Sequence, residues 1–392
     1  MKSIEGIRRR SWAEVDLRAV DSNYLAVRRA VSSKAKVCCV IKADAYGHGA
    51  LALARRYEGL GADHFAVSNV EEALELRRGG ITLPILILGY TPPECASILA
   101  REDLKQCVYS HEYGASLAEE AERAGVRVTV HIKLDTGMGR IGFRRDEWEQ
   151  AECVCRFPAL IPDGIFTHFA VADESVDGDA YTREQAECFI LGVSFLEERG
   201  IHFAIRHCAN SAAIFDYPDL HLDMVRAGIV LYGFVPSERV RNLPTLHPVM
   251  TLKSVISHIK ELGAGESVSY GRTYIAKEAT RVATVPLGYA DGFSRRLGNG
   301  RYSLKIGAQY ASIIGRVCMD QLMLDVTGIP CSVGDEVLVF GEDPKSSADT
   351  IARVNETINY EVSCDVGKRI PRVYLADGEI VGIADALISY EK

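Results

Sequence analysis

The residue that first suggests chemistry is Lys42. It closes an apolar run, VCCVIK, and ADAYGHG follows at once, which reads as a glycine-rich, aromatic turn. A lysine there has two readings. Its stem packs while the ammonium reaches solvent, or its amine is desolvated and attacks a carbonyl to form a Schiff base. Much farther along, Asn210-Ser211-Ala212 and Gly228-Ile229 offer backbone N–H groups, and Ser211 adds a hydroxyl. In barrel proteins the loops after the last two strands hold phosphate with such groups. Tyr46 supplies a further donor. A phosphorylated aldehyde would use both the amine and the cradle.

These residues need a scaffold that brings them to one rim. Eight short apolar runs, at 37–42, 64–68, 85–89, 106–110, 128–134, 164–168, 204–208 and 224–229, alternate with helix-like stretches. Continuous rather than alternating apolarity suits strands buried on both faces. Between the sixth and seventh runs, Ala186, Phe189, Ile190 and Val193 form the stripe of an amphipathic helix, with Gly200 as its stop. Eight strand-then-helix units predict an α/β fold with an N-terminal (β/α)₈ TIM-like barrel, residues 1–244, whose chemistry sits at the C-terminal strand ends. Lys42, Lys133, His168, His207 and Arg226 all fall there. From residue 245 to 392 the runs are β-rich and separated by glycine-containing turns, with helix periodicity only near 348–355, which predicts a mainly β C-terminal domain.

Composition narrows the function. With 47% hydrophobic and 25% charged residues the chain can build full cores, and a net charge of −8 argues against a general nucleic-acid binder. The one basic cluster, Arg8-Arg9-Arg10, reads as a solvated terminus, and MKSIEGIRRRSW lacks the apolar stretch of a secretory signal. No segment reads as a membrane span, so a cytoplasmic location is expected. The 11 cysteines are scattered without paired CxxC spacing, which favours reduced, mostly buried thiols and no metal.

Nine stretches carry a family resemblance: VIKADAYGHG, KLDTGMGRIGF, FTHFA, HCANSAA, MVRAGIVLYG, VSYGRTY, VPLGYADGFSRRL, RVCMDQLMLDV and INYE. In this order they resemble the bacterial alanine racemases. The resemblance implies pyridoxal 5′-phosphate as cofactor, a homodimer with active sites completed across the interface, and D-alanine supply for peptidoglycan. It makes Lys42 the Schiff-base lysine and one catalytic base, and Tyr270 the second base, contributed by the other subunit. Inversion at Cα requires such a pair, one on each face. A phenol is a poor base near neutrality unless a neighbour assists it, and the resemblance gives that role to His168 through Arg226.

The same resemblance sets Arg226 against the pyridine nitrogen, where an always-charged guanidinium keeps that nitrogen unprotonated and favours racemisation over transamination. It makes Tyr46, Ser211, Gly228, Ile229 and Tyr360 phosphate contacts. Arg140 lies by the phenolic oxygen and the substrate carboxylate, Met319 offers its backbone N–H to that carboxylate, and Tyr289 and Asp320 line the approach. Lys133 matches a position that is carbamylated in many members, and an unmodified structural lysine is the other reading. His207 reads as a packed histidine supporting the site. A small, mostly apolar pocket favours L- and D-alanine as substrate. A serine or broad-specificity racemase, a barrel decarboxylase and a non-catalytic cofactor carrier stay open. Decarboxylases of this kind place a carboxylate where this chain has Arg226, and a carrier would not need Tyr270 or Met319.

Overall fold

The computed structural model describes residues 10–387, so Arg8, Arg9 and most of the N-terminal stretch read for a signal lie outside it. The chain divides into two compact units. One comprises Asp21–Ala45 and Ala50–Leu246, and the other the described residues up to Val20, Tyr46–Gly49, and those from His247 onward.

The strands, in chain order, begin with β1 (Ser11–Asp16), β2 (Lys36–Val40), β3 (His64–Val67), β4 (Ile85–Ile87) and β5 (Leu104–Val108). They continue with β6 (Val128–Lys133), β7 (Leu160–Phe166), β8 (Ile205–His207) and β9 (Met224–Ala227). Strands β2 to β9 form one parallel sheet in the order β8-β7-β6-β5-β4-β3-β2-β9. Its two ends meet: Asp223 N–H donates to Arg206 O at 3.1 Å and Arg226 N–H to Ala209 O at 3.0 Å. The (β/α)₈ expectation is met: each of the eight predicted runs overlaps one of these strands, although β2, β5 and β7 begin one, two and four residues earlier than the run. Every residue of β3 and β4 is buried, as strands covered on both faces must be.

Helices between the strands are bounded by residues of the expected kinds. Asn69 caps Val70–Arg78 by accepting from Glu72 N–H, with Glu71 and Glu72 in the first turn and Arg77 and Arg78 in the last. In Asp179–Glu197 the buried face holds Gln185, Ala186, Phe189, Val193 and Leu196. Ile190 is not part of it: it is 43% exposed, because it lies a full 100° round the helix from Phe189, at the edge of the stripe.

The second unit is mainly β. Its remaining strands are β10 (Met250–Val255), β11 (His258–Leu262), β12 (Ser267–Val268), β13 (Tyr274–Ile275), β14 (Thr280–Val285) and β15 (Ser303–Ile306). They end with β16 (Gln309–Ser312), β17 (Leu322–Asp325), β18 (Glu336–Phe340), β19 (Arg372–Ala376) and β20 (Glu379–Ala384). A seven-stranded sheet runs β16-β15-β18-β10-β1-β19-β20, beside a three-stranded sheet β11-β14-β17 and the ribbon β12-β13. Leu262, Val268, Ala276, Val282 and Ile314 pack as one cluster. Arg10, read as solvated, is instead tied down: it pairs with buried Asp291 and donates to Pro286 O at 2.9 Å.

Candidate active site

Lys42 stands two residues past the end of β2 and is half-buried. The segment after it is not an ordinary turn. It is the short helix Lys42–Gly47, and Ala43, Asp44, Ala45 and Tyr46 all have φ of 52–53°, so the turn is left-handed. L-residues resist that conformation by roughly 1–2 kcal/mol each, and such strain gathers at functional sites. Side chains of the barrel unit hold it in place. Ala43 N–H donates to Glu72 Oε1 at 2.7 Å, and Ala50 N–H to Asp44 Oδ1 at 2.7 Å. Nothing in the sequence signals this handedness beyond an aspartate, a residue that tolerates it better than most.

On β9, the strand hydrogen-bonded to β2, Arg226 is 3% exposed. One terminal nitrogen donates to His207 Nδ1 at 2.9 Å and His207 O at 3.2 Å. The other reaches Thr167 O at 2.7 Å, Cys208 O at 3.1 Å and His168 Nδ1 at 3.3 Å. Its Nε–H has no acceptor among the described residues. Burial pushes the guanidinium down to about 10, which leaves it charged at neutral pH. His168 is held neutral by burial first and then by Arg226, Arg140, Lys133 and Lys42. Because arginine can only donate, His168 Nδ1 is the acceptor and its Nε2 carries the proton. Four cations gathered about one neutral imidazole make a site for an anion.

Lys133, at the end of β6, is 3% exposed, and its Nζ donates to Leu134 O at 2.7 Å and lies 5.5 Å from the Phe166 ring centroid. Burial pushes its amine down to about 8. Arg140 is exposed in the following loop, where Asp135 Oδ1 accepts from Gly137 and Gly139 N–H. Ser211 opens the helix Ser211–Asp216, capped by Asn210, which accepts from Ala213 N–H at 3.1 Å. Gly228 N–H, expected to face a phosphate, is committed to Ser211 Oγ at 2.9 Å. The serine hydroxyl therefore accepts with its oxygen and keeps its proton to donate. The N–H groups of Ser211, Ala212 and Ile229 open helical turns that supply them with no partner. Cys208 is a buried thiol 3.2 Å from Leu220 O, a packing role.

In the second unit Tyr46 and Tyr360 stand with ring centroids 6.1 Å apart. Tyr270 sits on a turn between β12 and β13 in which Ser269, Gly271 and Arg272 all have positive φ, and it is 65% exposed. Met319, 53% exposed, lies in the loop before β17, pinned by Tyr289 N–H on Cys318 O at 3.1 Å and Ala290 N–H on Met319 O at 3.0 Å. Asp320 pairs with Arg369 at 2.9 Å. Ser269, Tyr270, Cys318, Met319, Asp320 and Gln321 line a concavity of about 420 Å³. No cluster of His, Cys, Asp or Glu suited to a metal occurs among the described residues, and the cysteines there form no disulfide. No described helix is long and apolar enough to cross a membrane.

A parallel barrel with cations converging at the C-terminal ends of its strands is the frame of an enzyme acting on an anionic small molecule. Residues 15–236 match the alanine racemase N-terminal domain and residues 249–374 the alanine racemase C-terminal domain. Alanine racemase 1 of Clostridium acetobutylicum is 44% identical over 379 residues, covering 95% of this chain and 97% of its own. The Desulfovibrio desulfuricans alanine racemase is 46% identical over 369 residues, covering 93% and 98%. Among solved structures, the Clostridium difficile alanine racemase superposes with a TM-score of 0.92 at 42% identity, covering 97% of this chain and 100% of the other. The Bacillus anthracis alanine racemase with bound L-Ala-P superposes with 0.92 at 35% identity, covering 97% and 99%. The chain belongs to the alanine racemase family.

Proposed function

We propose that this protein interconverts L-alanine and D-alanine, supplying D-alanine for the cell wall from the cytoplasm, with pyridoxal 5′-phosphate held in the barrel. The observation that carries the reading is Arg226, a buried cation whose terminal nitrogens are fully engaged while its Nε–H alone lacks an acceptor. The pyridine nitrogen of the cofactor would supply that acceptor. Lys42 would anchor the aldehyde, and the N–H groups of Ser211, Ala212 and Ile229, the Ser211 hydroxyl, Tyr46 and Tyr360 would hold the phosphate. When bound, the cofactor supplies the electron sink that makes the substrate Cα–H acidic.

The chain's own groups then move the proton. Lys42 Nζ accepts it on one face, and the Tyr270 phenol of a second copy donates on the opposite face. His168, obliged by Arg226 to carry its proton on Nε2, donates a hydrogen bond that stabilises the phenolate. Arg140 and the Met319 N–H of the second copy hold the carboxylate. Lys133, whose amine is largely neutral above about pH 8, is available to add dissolved carbon dioxide at Nζ, releasing one proton, and the resulting carbamate would pair with Arg140.

Incubation in D₂O with added cofactor, starting separately from L-alanine, D-alanine and L-serine, tests this reading. Deuterium at Cα in both enantiomers from either alanine, with serine slow, is the expected result. Loss of carboxylate, or no exchange, overturns it.

A further inference from the structure

We propose that His207, His131 and Asp163 form a polar chain through the barrel interior that fixes the orientation of Arg226, with the two histidines acting as positioning residues locked in one tautomer. This rests on the reading of Arg226 as the residue that faces the cofactor.

The polarity of the chain follows from its first member. A guanidinium has donors only, so the 2.9 Å contact from Arg226 makes His207 Nδ1 an acceptor and puts the proton on Nε2. His207 Nε2 lies 3.0 Å from His131 Nδ1, which must accept in turn. His131 therefore carries its proton on Nε2, which points at Asp163 Oδ2 3.5 Å away, an ion–dipole contact rather than a full hydrogen bond. Lys105 pairs with the same carboxylate oxygen. A proton added to His207 would face an Arg226 N–H donor to donor, and one added to His131 would face the His207 N–H, so the geometry excludes both imidazolium forms.

Two features of the backbone and one side-chain contact show that the strands are built around this chain. The ladder between β6 and β7 pairs Val130 with Pro162 and His131 with Gly164, leaving Asp163 as the extra residue of a bulge. Bulges re-aim side chains and are rare in parallel pairs. Opposite the imidazole, a Cβ on Gly164 would lie 2.4 Å from His131 Nδ1 and Cε1, so any larger residue would displace the ring. Phe166 stacks on His207, with ring centroids 4.8 Å apart and planes 9° from parallel, which fixes the ring plane. Such barrels are filled by branched apolar side chains; here two fully buried imidazoles occupy that space. Burial, then the cations Arg226 and Lys105 with His64 and Lys133 nearby, disfavours charge on either ring, while Asp163 opposes that for His131.

Ring ¹⁵N chemical shifts of the histidine-labelled, cofactor-loaded protein test the chain directly. Both His131 and His207 are expected as neutral Nε2–H tautomers with no titration between about pH 5 and 9. An Nδ1–H form, or an imidazolium appearing in that window, at either residue overturns the proposal. His131→Phe removes the acceptor. It is expected to give His207 mixed tautomers and to raise the fraction of turnovers that convert the cofactor to its amine form about tenfold. His131→Gln, whose amide oxygen accepts from His207, should return that fraction towards the wild type, and equal fractions in the two variants would overturn the positioning role. Correct tautomers in a protein that does not exchange the α-proton would sink the racemase reading and leave the chain standing. Racemisation with titrating histidines would do the reverse.

Discussion

At Lys42 the residue type, its strand-end position and the cations around His168 converge on one use, and the consequence is specific. Lys42→Ala is expected to abolish racemisation from both enantiomers, by at least about 10³-fold, with loss of the covalent cofactor chromophore. Absorbance and chiral chromatography read the two effects. Tyr270→Phe should keep the chromophore and lose exchange from L-alanine, and full activity there would remove the two-base assignment. Lys133 makes a different prediction. Its folded pKa of about 8 lies below the ordinary 10.5, so over that interval the unfolded chain binds more protons than the folded one. The penalty is full below about pH 8 and fades as pH rises to 10.5. In buffer free of carbon dioxide, Lys133→Met should therefore stabilise the protein at pH 7 by on the order of 1–3 kcal/mol, with the gain shrinking towards pH 10. A lower melting temperature for the variant at pH 7 would mean that the ammonium is well satisfied in the fold. The placement of Lys42, Lys133, His168, His207 and Arg226 at or just past strand ends was legible in the apolar runs, whereas their roles came only from the resemblance. The chain from Arg226 to Asp163 was not, since His131 and Asp163 lie on different strands and only a bulge aims them at each other.

Among the elements, the eight barrel strands could be read because burial on both faces leaves them apolar throughout, a pattern that does not depend on register. The strand β1 was passed over, since SWAEVD carries two carboxylates and joins its sheet only through β10 and β19, both more than 230 residues away. The left-handed turn after Lys42 was also hidden, because its residues, Ala-Asp-Ala-Tyr, include two of the best formers of the right-handed helix. That misfit gives a test with an unusual sign. In a right-handed helix, alanine to glycine costs about 1 kcal/mol. At exposed Ala43, with φ of 53°, the same change relieves the strained Cβ and loses only part of that gain to unfolded-state entropy. Ala43→Gly is expected to raise stability by about 0.5–1 kcal/mol, seen as a higher melting temperature. A decrease of the usual helical size would mean that the turn is right-handed in solution.

For the whole molecule, the proposed function has a second copy bring Tyr270 and Met319 to each site. Both side chains are accessible for that role, at 65% and 53% exposure beside a concavity of about 420 Å³. If each site takes Lys42 from one subunit and Tyr270 from the other, two inactive proteins can repair each other. In a mixed dimer of Lys42→Ala with Tyr270→Phe, one site carries both lesions and the other carries none. Random exchange makes half of the dimers mixed, with one of two sites intact in each. Racemisation from L-alanine should then recover to about a quarter of the wild-type rate per site after unfolding and refolding the variants together. Recovery must track the mixed species on native mass spectrometry. Mixed dimers that form and stay inactive would place Lys42 and Tyr270 in the same chain's site, and the exposed concavity would need another occupant.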